Sequence, residues 1–128
     1  MALRDMLRVL VVDDMSTSRG ILLQGLDALG ITSVAYAENG KTGMLQARQT
    51  RPHLVLSDLY MPEMNGLELL QQLRADEKTQ KIGFILITGR SDDTIIKTGK
   101  SLGMNNFLNK PFALPQLKDS IEAVVGRL

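Results

Sequence analysis

Cysteine is absent from the 128 residues, and histidine occurs once, as His53. The first absence excludes disulfides and thiolate metal sites. The second argues against a histidine metal cluster or a histidine-based catalytic triad. No apolar run approaches the ~18 residues that cross a bilayer. The opening segment, Met1-Ala2-Leu3-Arg4-Asp5, carries an acid and has no long apolar region after it, unlike a secretory signal. Neither sign of charge dominates: fifteen basic and fourteen acidic residues leave a net +1 spread along the chain. A nucleic-acid binder would concentrate basic charge on one face. Internal repeats, low-complexity segments and linkers are also missing. A single cytoplasmic domain over residues 1–128 is expected, monomeric, with neither nucleic acid nor membrane as a partner.

What is present is a regular alternation. Apolar residues make up 44% and charged residues 23%, enough for one core. Three continuous apolar runs read as buried strands: Arg8–Val12, Leu54–Asp58 and Gly83–Ile87. Two shorter β-prone segments, Ser33–Ala37 and Asn106–Asn109, complete a set of five. Helical spacing falls between them. Ile21, Leu22, Gly25, Leu26 and Leu29 form one face, with Ser16 or Asp14 as cap and Gly30 as stop. Asn39-Gly40 opens a second helix to about Gln49, with Gly43, Met44 and Ala47 inward and Arg51-Pro52 as its end. Leu67, Leu69, Leu70 and Leu73 line a third. Ser91-Asp92-Asp93 caps a fourth, weakened by Thr94, Ile95, Ile96, Thr98 and Gly99. Leu117, Ile121, Val124, Val125 and Leu128 line a fifth. Strands that are apolar throughout imply a parallel sheet covered on both faces. The fold expected is α/β: a (βα)5 doubly wound five-stranded parallel sheet in a three-layer αβα sandwich.

A parallel sheet brings every strand's carboxyl end to one edge, where open α/β sheets place their ligands. That edge receives Asp13, Asp14, Asp58, Thr88 and Lys110. Three carboxylates side by side repel one another and need a cation. Hard oxygen ligands of this kind suit Mg2+. With the cluster neutralised, one carboxylate can attack phosphorus and form an acyl phosphate. The arriving negative charge would meet Mg2+, Lys110, the hydroxyl of Thr88 and the amides after Asp58. Taken singly, each residue has an ordinary role. Asp13-Asp14 could cap a helix, Asp58 could form a turn, Thr88 could be structural and Lys110 a solvated lysine. Five such residues at four strand ends are not explained that way.

In this order, Asp13-Asp14, Ser57-Asp58-Leu59-Tyr60-Met61-Pro62-Glu63-Met64-Asn65-Gly66, Thr88-Gly89 and Lys110-Pro111-Phe112 resemble the response-regulator receiver family over essentially the whole chain. The resemblance implies a flavodoxin-like (CheY-like) fold. Asp58 would be the phosphoacceptor, served by a phosphohistidine on a sensor histidine kinase. Asp13, Asp14, Asp58 and the backbone carbonyl of Tyr60 would hold Mg2+. Thr88 and Lys110 would bind phosphoryl oxygens, and Thr88 with Phe107 would form a switch pair. Val11–Arg19 and Asn65–Leu70 are most similar to the stand-alone chemotaxis branch, which implies a CheA-like kinase and a FliM-like flagellar motor switch protein. The reading surface would be the fourth helix, fifth strand and fifth helix.

Some positions depart from that branch. Phe107 replaces a frequent tyrosine and lacks its hydroxyl. Tyr60 and Arg90, each two residues past a site residue, would flank attacking water. Gly89 replaces a frequent alanine. His53 and the methionines Met15, Met44, Met61, Met64 and Met104 read as structural. Besides a phosphorylation-gated chemotaxis module, two functions compete. One is a phosphorelay intermediate or phosphate sink serving a histidine phosphotransfer protein. The other is a Mg2+-dependent phosphatase with Asp58 as nucleophile, which would want an acid where Tyr60 stands. On the first two readings the chain is no enzyme, catalysing only its own phosphorylation and dephosphorylation.

Overall fold

The computed structural model describes residues 2–90 and 92–128. Five parallel strands form one sheet: β1 (Arg8–Val12), β2 (Ser33–Ala37), β3 (Leu54–Asp58), β4 (Gly83–Thr88) and β5 (Asn106–Asn109). Their spatial order is β2-β1-β3-β4-β5, so the chain reverses its direction of winding between β1 and β3. Five helices alternate with them: α1 (Ser16–Ala28), α2 (Gly40–Thr50), α3 (Gly66–Ala75), α4 (Asp93–Ser101) and α5 (Leu114–Val125). The expected doubly wound sandwich is the observed one. A one-turn helix at Leu3–Met6, too short to carry a periodic signal, precedes β1. Among the described residues, no helix is long and apolar enough to cross a membrane.

The continuous apolar strands have a simple cause. Leu10, Val12, Val55, Phe84 and Leu86 face one core with Ala47 of α2 and Leu69, Leu70 and Leu73 of α3. Val9, Val11, Leu54, Leu56, Ile85 and Ile87 face a second core with Leu22 and Leu26 of α1 and Leu117 and Ile121 of α5. Alternate side chains go to opposite faces, and both faces are covered.

The ends of the helices follow their residues. Asn39, Asn65 and Asp92 cap α2, α3 and α4 by accepting from Thr42 N, Glu68 N and Ile95 N. Ser91, expected to share the last cap, lies outside the described residues. Gly30 stops α1 in the left-handed region at φ 81°. Three expectations need correction. Neither Ser16 nor Asp14 caps α1: the cap position is Met15, with no side-chain bond, because Asp13 Oδ1 already accepts from Met15 N at 3.0 Å. Ile21 is exposed instead of facing the core, since the α1 stripe is carried by Leu22 and Leu26. Leu128 lies past the end of α5 but still packs against the second core.

Candidate functional site

Register fixes what meets at the carboxyl edge. Val12 pairs with Ala37 on one side and Ser57 on the other, so Asp13 and Asp58 leave neighbouring strands at the same level. By strand alternation both project to the α1–α5 side. Lys110 follows β5 two residues after Leu108, which faces that same core. The side chains converge. Carboxylate oxygens of Asp13, Asp14 and Asp58 lie within 4.8 Å of one another. Lys110 Nζ donates to Asp58 Oδ1 at 3.2 Å and lies 3.7 Å from Asp13 Oδ2.

The cluster is short of positive charge. Asp13 is fully buried and Asp58 nearly so, while Asp14 is exposed. Asp13 Oδ2 is buried with no hydrogen-bond partner among the described residues. A buried carboxylate oxygen left this way is costly, and a cation is the natural remedy. Burial pushes the Asp58 carboxyl above its ordinary range; Lys110 opposes that shift and Asp13 adds to it. Every side-chain donor in the cluster is a hard carboxylate oxygen, the chemistry that Mg2+ selects. The residues present therefore fit a Mg2+ ion.

Two supports shape this edge. Arg19 of α1 donates from Nη1 to the Asp13 backbone carbonyl at 2.8 Å, with its guanidinium 4.8 Å above the Tyr36 ring. Ser57 Oγ donates to the Asp58 carbonyl at 2.9 Å. Neither role had a sequence signal. Ser18 of α1 is a third residue that sequence reasoning missed. Its Oγ accepts from Lys110 Nζ at 2.6 Å, and the only hint is a hydroxyl one helical turn past the acidic pair.

Thr88 is at the edge but turned to its own loop. Its hydroxyl accepts from Arg90 N at 3.0 Å and donates to Arg90 O at 3.1 Å. Phe107 is half-buried against the first core, on the face that Thr88 shares by alternation. Tyr60, two residues past Asp58, is 57% exposed, and Arg90, two residues past Thr88, is exposed. His53 lies at the opposite edge, where Nδ1 accepts from Arg8 N at 3.0 Å.

The sequence has relatives across its length. A family model for the response regulator receiver domain matches residues 9–122. The probable chemotaxis protein CheY of Rhizobium etli is 39% identical over all of this chain and 99% of its own. Chemotaxis protein CheY1 of Helicobacter pylori is 38% identical over 94% of this chain and 98% of its own. The solved structure of Vibrio cholerae chemotaxis protein CheY4 superposes with a TM-score of 0.86 at 26% identity, covering 92% of this chain and 98% of that one. A lysine and three aspartates gathered at the edge of a 2-1-3-4-5 sheet, with relatives matching end to end, mean that the chain belongs to the response regulator receiver family, among receivers similar to CheY.

Proposed function

We propose that Asp58 accepts a phosphoryl group from a phosphohistidine of a CheA-like sensor kinase. The observation that carries this is the pairing of Asp58 with Lys110 at 3.2 Å beside a buried Asp13 oxygen that has no hydrogen-bond partner among the described residues. Asp58 Oδ attacks phosphorus in line. The P–N bond breaks, its electron pair returns to the imidazole nitrogen, and an acyl phosphate forms on Asp58. Asp13, Asp14, Asp58 and the Tyr60 carbonyl would hold Mg2+. When bound, the ion supplies positive charge to the phosphoryl oxygens. Lys110 follows the charge as it moves from the carboxylate to the phosphoryl group, and the amides after Asp58 add donors. Hydrolysis reverses the gain: water attacks phosphorus, the P–O bond to Asp58 breaks, and inorganic phosphate leaves. No metabolite is turned over, so the chain is a switch and not an enzyme.

The switch follows from the competing needs of Thr88. A phosphoryl oxygen is a stronger acceptor than the Arg90 carbonyl. Thr88 leaves Arg90 for it, the 88–90 loop shifts, and Phe107 turns inward into the space on the same face. That changes the surface of α4, β5 and α5 presented to a FliM-like motor switch protein. Phe107 brings no hydroxyl to that surface, so recognition rests on shape. Passing the phosphoryl group to a histidine phosphotransfer protein, as a relay or sink, would use the same site without this readout.

The test is adduct formation with Mg2+ and beryllofluoride, followed by 19F NMR, with Asp58→Asn as control. An adduct on the parent alone, with binding to a motor-switch peptide, supports the reading. Failure of the parent to form an adduct would sink it. An adduct without peptide binding would instead support the relay or sink.

A further inference from the structure

The Lys110 ammonium has three donors and three oxygen neighbours, and its shortest bond is not to an acid. Nζ donates to Ser18 Oγ at 2.6 Å, against 3.2 Å to Asp58 Oδ1 and 3.7 Å to Asp13 Oδ2. Bonds from an ammonium to a carboxylate are stronger than bonds to a neutral hydroxyl. A lysine free between two buried acids would therefore settle onto both. Here it is drawn outward, toward the first turn of α1. Ser18 has no capping duty that would explain it, because the cap of α1 is Met15 and makes no side-chain bond. The geometry has a visible result: Asp13 Oδ2 keeps only the 3.7 Å ion pair to Lys110 and has no hydrogen bond among the described residues.

We infer that Ser18 is a positioning residue that holds Lys110 between α1 and Asp58, beyond hydrogen-bond reach of Asp13, so that one lysine can meet the phosphoryl group without occupying the metal's place. This rests on the reading of Asp58 as phosphoacceptor. A lysine has many rotamers and loses much freedom when fixed. The Ser18 hydroxyl fixes it in the resting protein, before the phosphoryl group arrives. Without the hydroxyl, the ammonium moves inward onto Asp13 and competes with a cation for the same oxygen.

Mg2+ titration followed by NMR, together with beryllofluoride adduct formation, tests this. Ser18→Ala is expected to weaken Mg2+ binding about fivefold, the loss matching one modest hydrogen bond, and to weaken the adduct as well. Ser18→Thr keeps a hydroxyl and restores both. In a Lys110→Ala background, Ser18→Ala has no further effect, because its role runs through the lysine. Thermal melts of each variant separate loss of fold from loss of position. If Ser18→Ala matches the parent in both readouts while the parent forms its adduct, the inference is overturned and the Asp58 reading stands. An equal loss with and without Lys110 also overturns it, by showing a structural role. A parent with no Mg2+ binding and no adduct overturns the Asp58 reading and this inference together.

Discussion

Gly66 packs against the backbone carbonyl of Asp58, and a side-chain carbon at that position would overlap the oxygen. Gly66 N also donates to Leu59 O at 2.8 Å, which ties the start of α3 to the end of β3. Gly66→Ala must therefore push α3 away from β3. A loss of about 1–3 kcal/mol in a urea melt is expected, the usual range for overpacking. A weakened beryllofluoride adduct should accompany it. Gly89→Ala is the contrast, since among the described residues nothing lies within 4 Å of its added carbon, and little change is expected.

Asp13→Asn should reduce Mg2+ affinity at least tenfold. The substitution keeps the shape and removes one charge from a cluster whose members lie within 4.8 Å of one another. Isothermal titration calorimetry reads the affinity directly. A variant that binds Mg2+ as tightly as the parent would remove Asp13 from the ligand set.

Burial raises the Asp58 carboxyl, so its charge is a burden on the folded state at neutral pH. The sign follows from linkage. The folded protein holds the Asp58 proton to higher pH than the unfolded chain, whose carboxyl titrates near ~3.9. The stability contributed is full below the unfolded value and lost as pH rises through the folded one. Without divalent metal, Asp58→Asn should be more stable than the parent at pH 7. That advantage should shrink as the pH is lowered through the Asp58 titration toward ~3.9. Chemical denaturation across pH checks it, and an advantage independent of pH would count against the burial argument.

Arg74 makes five hydrogen bonds without an acid. Nε and Nη2 reach the Gly103 carbonyl at 3.2 and 2.9 Å, Nη1 reaches Gln80 O and Ile82 O at 3.1 and 2.7 Å, and Nη2 reaches Asn105 Oδ1 at 3.0 Å. Burial pushes its pKa down from the ordinary value, yet the planar fork suits this set of carbonyls. Arg74→Ala would strand those acceptors and should cost about 2–4 kcal/mol. Arg74→Lys should recover little of it, since a lysine cannot span the same acceptors. A lysine variant as stable as the parent in thermal melts would argue that charge alone matters.

Tyr60 and Arg90 stand exposed, two residues past Asp58 and Thr88 respectively, the proposed acceptor and switch threonine. Tyr60→Asn and Arg90→Glu should each speed loss of the phosphoryl group several-fold, by opening the path of the attacking water. Single-turnover dephosphorylation after brief acyl-phosphate treatment measures the rate, and unchanged rates would exclude that role.

The strands were legible because burial on both faces leaves an uninterrupted apolar signature. Val9–Val12 and Leu54–Ser57 show it in full. The converging acids were legible for the same reason, as strand ends in a parallel sheet share an edge. Strand order was not, because no local pattern distinguishes β1 beside β3 from β1 at the border. The Asp14 or Ser16 cap failed because Asp13 took the Met15 amide. Side-chain commitments, near in sequence or far, were silent too. Nothing local tells that Ser18 meets Lys110, or that the Thr88 hydroxyl rests on Arg90.

The strand order has a consequence for where the molecule yields. Asp13 and Asp58 ride on β1 and β3, each hydrogen-bonded on both sides, whereas Phe107 rides on β5, an outer strand with a single partner. Local opening begins where fewest contacts hold the chain. Amide exchange should therefore be slowest under the carboxylates and faster under Phe107. On the proposed reading, the chemistry is anchored to the stiffest part of the protein, and the message is written on a part already soft enough to change.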